Sequence, residues 1–330
     1  RLIARHPRLS LNLMRILVRR LRQTTRRNYK AAKARTIALV PLHKGVDVQG
    51  FAAQLQKALS GLSLTSHVTG AADAGHAAEW HYAREKDHDI SIYAGDEPEG
   101  AWTQFCMRQA DRVLLIARDG EAIPSHPYVS GNDSAAKRQM PELVILRAFG
   151  KPPHYPDMTP QVASAYSMHH YVCPNTPGDV ARLARMLTGR AVGLVLGGGG
   201  ARGFAHIGII RALREAGVPF DMVAGASMGA IIAACVARGW SDEEIHARMR
   251  KAFVETNPLS DITLPLVSVF RGQKVSRMLQ DNFGDVRIEE MRLPFFCTSS
   301  DLTAGKTHIH RHGLVWRALR ASVAIPGLLP

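Results

Sequence analysis

The sequence predicts an α/β protein, with an N-terminal amphipathic helix ahead of two successive regions that each build on a parallel sheet. Three observations carry that prediction. From Thr36 onward, apolar runs of strand length alternate with helical stretches. A second series of the same kind opens at Val192. Twelve of the forty-two Lys and Arg residues crowd into residues 1–35, which hold no Asp or Glu.

In the first segment, residues 1–34, Leu9, Leu13, Ile16, Leu17 and Leu21 recur at helical spacing. Arg15, Arg19, Arg20 and Arg22 lie between them, and a basic tail follows from Arg26 to Lys30. Three roles stay open for it: the closing helix of an upstream domain, a helix lying on a membrane surface, or a nucleic-acid arm. Tyr29 is the one aromatic among the bases, which disfavours nucleic acid. Beyond residue 35, thirty bases face twenty-eight acids, so twelve of the fourteen net positive charges belong to residues 1–35. The chain opens on Arg1 instead of Met, which points to a fragment or a processed product.

Residues 35–175 read as a Rossmann-like α/β domain. Ile37–Val40, Ile90–Tyr93, Val113–Ile116 and Leu143–Leu146 suit buried strands, with helices over 49–60, 77–85 and 102–110. No Gly-rich phosphate loop, metal-ligand cluster or carboxylate pair stands out here, and its role stays open. A proline-rich stretch at 152–160 and a connecting helix within 176–190 lead to the last region, residues 191–330. The four cysteines are far apart with no Cys-x-x-Cys pair, which suits a reducing compartment and argues against a zinc site or a disulfide scaffold. No apolar run approaches bilayer-spanning length. The expected location is cytoplasmic, with membrane association open.

The last region carries the chemistry. Val192–Leu196 reads as a buried strand that runs into Gly197-Gly198-Gly199-Gly200-Ala201-Arg202-Gly203. A helix then presents Phe204, Ile207, Ile210 and Leu213 on one face. Such a turn aims bare backbone N–H groups at one point, the geometry that binds negative charge. Gly198-x-Gly200-x-x-Gly203 also fits a dinucleotide fingerprint. That reading needs an acid at the end of the next strand, whereas Asp221 lies at its start. The strand 220–224 instead ends in Gly225-Ala226-Ser227-Met228-Gly229. Gly-x-Ser-x-Gly between a strand and a helix is a nucleophile elbow: the serine turns sharply out of the sheet, and Gly225 and Gly229 remove side chains that would collide. The following helix, Ala230 to Ala237, is apolar nearly all round, and its N-terminus favours a developing alkoxide. Ser241 with Glu244 looks like a capping box for the next helix.

Together the two motifs resemble the patatin-like phospholipases, whose three-layer α/β/α domain this region would share. The resemblance extends to the neuropathy target esterase branch through Trp102–Asp111, Leu183–Gly189 and Trp316–Ser322. It also extends through residues 1–22, with Arg5–Leu9, which resemble the closing helix of a cyclic-nucleotide-binding-like domain. It implies a serine esterase acting on phospholipids or lysophospholipids, with no cofactor and no metal, and a cyclic nucleotide as a ligand further upstream. Ser227 would be the nucleophile. Gly198, Gly199 and Gly200 would form the oxyanion hole with Arg202 beside them, and Gly203, Gly225 and Gly229 would be the motif glycines. The family's base is an aspartate in an Asp-Gly motif after Ala-Ser-x-x-x-Pro. Ala321–Pro326 is present here, yet no Asp-Gly follows Ser227. The implied Ser-Asp dyad would take its aspartate from beyond residue 330, leaving residues 1–330 alone inactive. Within the chain, Asp301 or one of His246, His308, His310 and His312 could be the base. His308, His310 and His312 alternate as strand-borne metal ligands do, or form a polar exposed hairpin. His206 reads as a packing residue. The competing view is a regulatory module, sensing a nucleotide or a membrane, with a vestigial esterase.

Overall fold

The computed structural model describes residues 35–124, 140–150, 153, 155–156, 165–263 and 268–330, which belong to one compact unit, 35–330. The basic amphipathic helix predicted for residues 1–34 lies outside the described residues, as does most of the stretch 152–160.

The first sheet has the order β2-β3-β1-β4-β5-β6 and is parallel throughout. Its strands are β1 (Thr36–Pro41), β2 (Ser66–Thr69), β3 (Ile90–Ala94), β4 (Arg112–Arg118), β5 (Glu142–Leu146) and β6 (Met168–Val172). Side chains alternate across a strand, so β1 supplies both faces. Ile37 and Leu39 pack with Phe51 and Leu55 of α1 (Val48–Ser60) and Leu183 of α4 (Pro177–Leu187). Ala38 and Val40 pack on the other side with Trp102 and Cys106 of α3 (Ala101–Gln109). Covered on both faces, the inner strands are apolar at nearly every position, as parallel sheets require. Helix α2 (Ala78–Asp87) joins β2 to β3.

The second sheet has the order β10-β9-β8-β7. Strands β7 (Gly193–Leu196), β8 (Met222–Ala226) and β9 (Phe295–Asp301) are parallel, and β10 (Lys306–His310) returns antiparallel. Helix α6 (Met228–Arg238) is buried from Met228 to Ala237 and forms the centre of this core, which accounts for its lack of a polar face. Helices α5 (Ala205–Glu215), α7 (Asp242–Arg250), α8 (Gln273–Phe283) and α9 (Val315–Val323) complete the region. Strand β7 corrects the sequence reading. Among the described residues it is an edge strand, paired with β8 alone, and Val195 is 74% exposed. Its apolar run reflects β-propensity more than burial.

Buried polar contacts join the two sheets. Asp221, fully buried at the start of β8, accepts a bidentate pair from Arg185 of α4 (Nη2–Oδ1 2.6 Å, Nε–Oδ2 2.9 Å) and the Val192 amide at 2.8 Å. His169 of β6 donates from Nε2 to the Glu289 carbonyl at 2.8 Å. Among the described residues, no helix is long and apolar enough to cross a membrane.

Candidate active site

Three chain segments converge where β7 and β8 end. The first is the elbow: Ser227 follows β8 directly, caps α6, and holds φ 52° and ψ −128°. A side-chain-bearing residue in that region carries on the order of 1–3 kcal/mol of strain, so the surrounding packing must hold it there. Ser227 is half-buried. The glycines around it show why the strand can meet the helix so closely. A Cβ on Gly225 would lie 2.5 Å from the carbonyl of Gly229, and one on Gly229 would lie 2.4 Å from the carbonyl oxygens of both Leu196 and Gly197. Backbone cannot yield as a flexible side chain can, so both positions demand glycine.

The second segment is the glycine loop. It passes so close to the elbow that a Cβ on Gly198 would lie 3.1 Å from Ser227 Cβ and 3.3 Å from the Ala226 carbonyl. Gly200 takes φ +56°, and a Cβ on Gly203 would meet Met228 Cγ at 2.2 Å. The loop does not enter its helix directly, as the sequence suggested. One 3-10 turn, Gly200–Phe204, intervenes before α5, with the Arg202 amide bonded to the Gly199 carbonyl at 3.2 Å. Among the described residues, no hydrogen bond takes the amides of Gly198, Gly199 or Gly200. Free N–H groups thus stand beside the serine, and Arg202 is exposed next to them. His206 is half-buried, and it also donates from Nε2 to the Gly197 carbonyl at 2.9 Å, tying α5 back to the loop.

The third segment was missed as a site element by the sequence reading. Ser322, in the last turn of α9, accepts the Ser227 amide at 2.8 Å and donates to the Thr298 carbonyl of β9 at 2.7 Å. One hydroxyl therefore bridges the elbow and the neighbouring strand. The signal was present in the Ala321–Pro326 segment, but no local pattern reveals a contact across 95 positions.

The alternative bases fall elsewhere. Among the described residues, no carboxylate or imidazole is hydrogen-bonded to the Ser227 hydroxyl. Asp301 Oδ1 accepts from the Thr303 and Ala304 amides, both at 3.0 Å, and so caps the β9–β10 turn. His246 is exposed on α7. His308 and His310 stack edge to face at 4.6 Å, and His310 shares a 2.8 Å hydrogen bond with Ser299. Burial, and then the neighbouring His308, lower the His310 pKa. His312 lies 3.7 Å from Glu289. No group of three or more His, Cys, Asp or Glu able to hold a metal occurs among the described residues. Cys297, which pairs in register with Gly225, has its thiol pushed up to about 12 by burial and stays protonated at neutral pH. Asp221 is committed to Arg185 at the far end of β8, so it leaves the glycine loop without the ribose-binding acid of a dinucleotide site.

This strand–turn–helix serine beside a glycine loop places residues 194–330 among the patatin-like phospholipases, whose sequence pattern they match. Residues 33–148 match the neuropathy target esterase family P-loop like domain, so the chain carries a match to each of these two domains. It is 34% identical to the Drosophila grimshawi protein named neuropathy target esterase sws, over 90% of this chain and 23% of the relative. The protein of the same name in Drosophila melanogaster is 33% identical, over 90% of this chain and 24% of the relative. The chain thus spans about a quarter of the length of these curated relatives. In the P-loop like domain, the β1–α1 connection places the Asp47 carboxylate on the first turn of α1, where it accepts the Gly50 amide at 2.8 Å. A carboxylate there occupies the position in which a phosphate-binding loop would hold an anion.

Proposed function

We propose that the protein is a serine esterase that cleaves fatty-acyl esters of phospholipids or lysophospholipids through an acyl-enzyme. Ser227 is the nucleophile. Its hydroxyl oxygen attacks the acyl carbonyl carbon, and the tetrahedral oxyanion is held by the amides of Gly198, Gly199 and Gly200, with Arg202 beside them. The N-terminus of α6 adds a favourable field at the serine. The proton acceptor is an aspartate, which the family pattern puts after the Ala321–Pro326 segment. It takes the serine proton on attack and passes it to the alcohol oxygen as the acyl C–O bond breaks and the alcohol leaves. It then takes a proton from the water that attacks the acyl-enzyme and returns it to Ser227 as the fatty acid departs. The observation that carries this reading is the pairing of a positive-φ serine with unpaired glycine amides packed against it. Amides of this kind each contribute on the order of 3 kcal/mol to an oxyanion transition state. The domain division at residues 34, 175 and 190 is part of the same proposal, with the esterase occupying 191–330. So are peripheral membrane contact and a cyclic nucleotide bound on an upstream domain.

A fluorophosphonate probe tests the assignment in the full-length protein. The wild type is expected to be labelled covalently, and Ser227→Ala to lose both labelling and hydrolysis of a short-chain ester. Labelling that survives Ser227→Ala sinks the assignment.

A further inference from the structure

One cavity is lined by none of the residues proposed for the chemistry, which leaves it unused. It is a groove of about 700 Å³ between α7, with the π-helical turn Lys251–Glu255 that continues it, and α8. Each helix lines it with one row of residues at three- and four-residue steps: Glu244, Arg248 and Lys251 on one side, Lys274, Arg277 and Asp281 on the other. Four cations thus face two carboxylates. Arg248 is paired with Glu244 at 2.9 Å. Lys251, Lys274 and Arg277 are exposed and make no ion pair among the described residues, although Lys274 donates to the Ser260 hydroxyl at 2.6 Å.

Beside the groove the chain exposes large apolar side chains within nine positions: Val254 (65%), Leu259 (47%) and Ile262 (69%). Single exposed apolar residues are ordinary, but three within nine positions of a segment that lines the groove through Lys251, Thr256 and Pro258 are not. The same segment touches the proposed site. The Phe253 ring meets Phe204, in the turn that follows the glycine loop, edge to face at 6.0 Å.

We propose that this groove and its apolar rim are the surface by which the protein docks on an anionic lipid bilayer. Lipid phosphates would be held by Lys251, Lys274 and Arg277, and Val254, Leu259 and Ile262 would enter the interfacial region. The inference builds on the lipid-ester reading, to which it adds the surface charge of the substrate phase. A soluble phosphate would use the cations and leave the rim exposed to water, whereas a bilayer satisfies both. Flexible lysines, acting as point charges, suit a headgroup layer better than a fixed bidentate partner.

Flotation of the full-length protein with vesicles tests this, comparing phosphatidylcholine alone with phosphatidylcholine containing about 30% phosphatidylserine. Each cation near such a surface is worth roughly fivefold in affinity, so Lys251→Glu with Arg277→Glu should weaken binding to the anionic vesicles by at least about 25-fold. Val254→Ser with Ile262→Ser should weaken it as well, and added salt should weaken the wild type. Unchanged affinity in either double variant overturns the proposal. So does complete displacement of the protein from vesicles by millimolar inorganic phosphate, which would make the groove a site for a soluble anion. Hydrolysis of a monomeric short-chain ester should persist in both double variants. Its absence in the wild type would remove the esterase reading while leaving the vesicle result standing.

Discussion

Replacing Ser322 by alanine removes one hydroxyl and two hydrogen bonds, at 2.8 Å from the Ser227 amide and 2.7 Å to the Thr298 carbonyl. An amide left without a partner in a part-buried setting costs about 1–3 kcal/mol. That amide belongs to the residue already held at φ 52°, so the lost bond acts against the strained elbow conformation itself. If about 2 kcal/mol of it appears in the alignment of Ser227 with its oxyanion donors, kcat falls by about 30-fold. Substrate binding does not use this hydroxyl, so KM should change little. Ser322→Thr, which keeps the hydroxyl, should recover most of the rate. The assay is steady-state hydrolysis of a chromogenic ester by full-length protein, with the rate of fluorophosphonate labelling as an independent report on the serine. A Ser322→Ala enzyme that loses thermal stability but labels at the wild-type rate would refute the positioning role.

Two further predictions concern the frame. Gly229→Ala should cost more than about 4 kcal/mol, because its Cβ meets two backbone carbonyls at 2.4 Å and β7 and α6 would have to separate. Gly199→Ala meets only Arg202 Cβ at 3.6 Å and should melt close to wild type, so paired thermal melts separate the two cases. The third prediction is a pH dependence of stability. Burial lowers the pKa of His169 to about 4. The unfolded chain therefore binds a proton between pH 6.5 and 4 that the folded chain does not, so this contribution is complete above pH 6.5 and is lost as pH falls through that window. The loss amounts to about 3 kcal/mol, and urea melts at pH 7 and 4.5 should show it reduced in His169→Gln.

The inner strands of the first sheet were legible because a sheet covered on both faces needs uninterrupted apolar runs, and Ile37–Val40 and Val113–Ile116 are such runs. Its edges were not. Strand β2, Ser66–Thr69, and strand β6, Met168–Val172, each carry histidine where an inner strand carries an aliphatic. His170 sits in β6 because Glu142 of β5 bonds it at 2.8 Å, a partner 28 positions away. In the site, the elbow and the glycine loop could be read because each is a local backbone requirement, written in glycines at Gly198, Gly200, Gly203, Gly225 and Gly229. Ser322 and the Asp221–Arg185 pair depend on contacts between distant segments, and no short motif carries them. The exposure of β7 was misjudged for a related reason: an apolar run records what a strand prefers, and only the sheet order says whether it is an edge.

The Asp221–Arg185 pair also has a mechanical meaning. Strand β8 is a five-residue strut with Ser227 at one end and this ion pair at the other. Pulling α4 away would strand a fully buried carboxylate, at about 3–5 kcal/mol, before any slack appeared in the chain. The connecting helix is therefore a welded joint and not a tether. A force or displacement that reaches α4 from upstream is delivered to the foot of the strand that carries the serine.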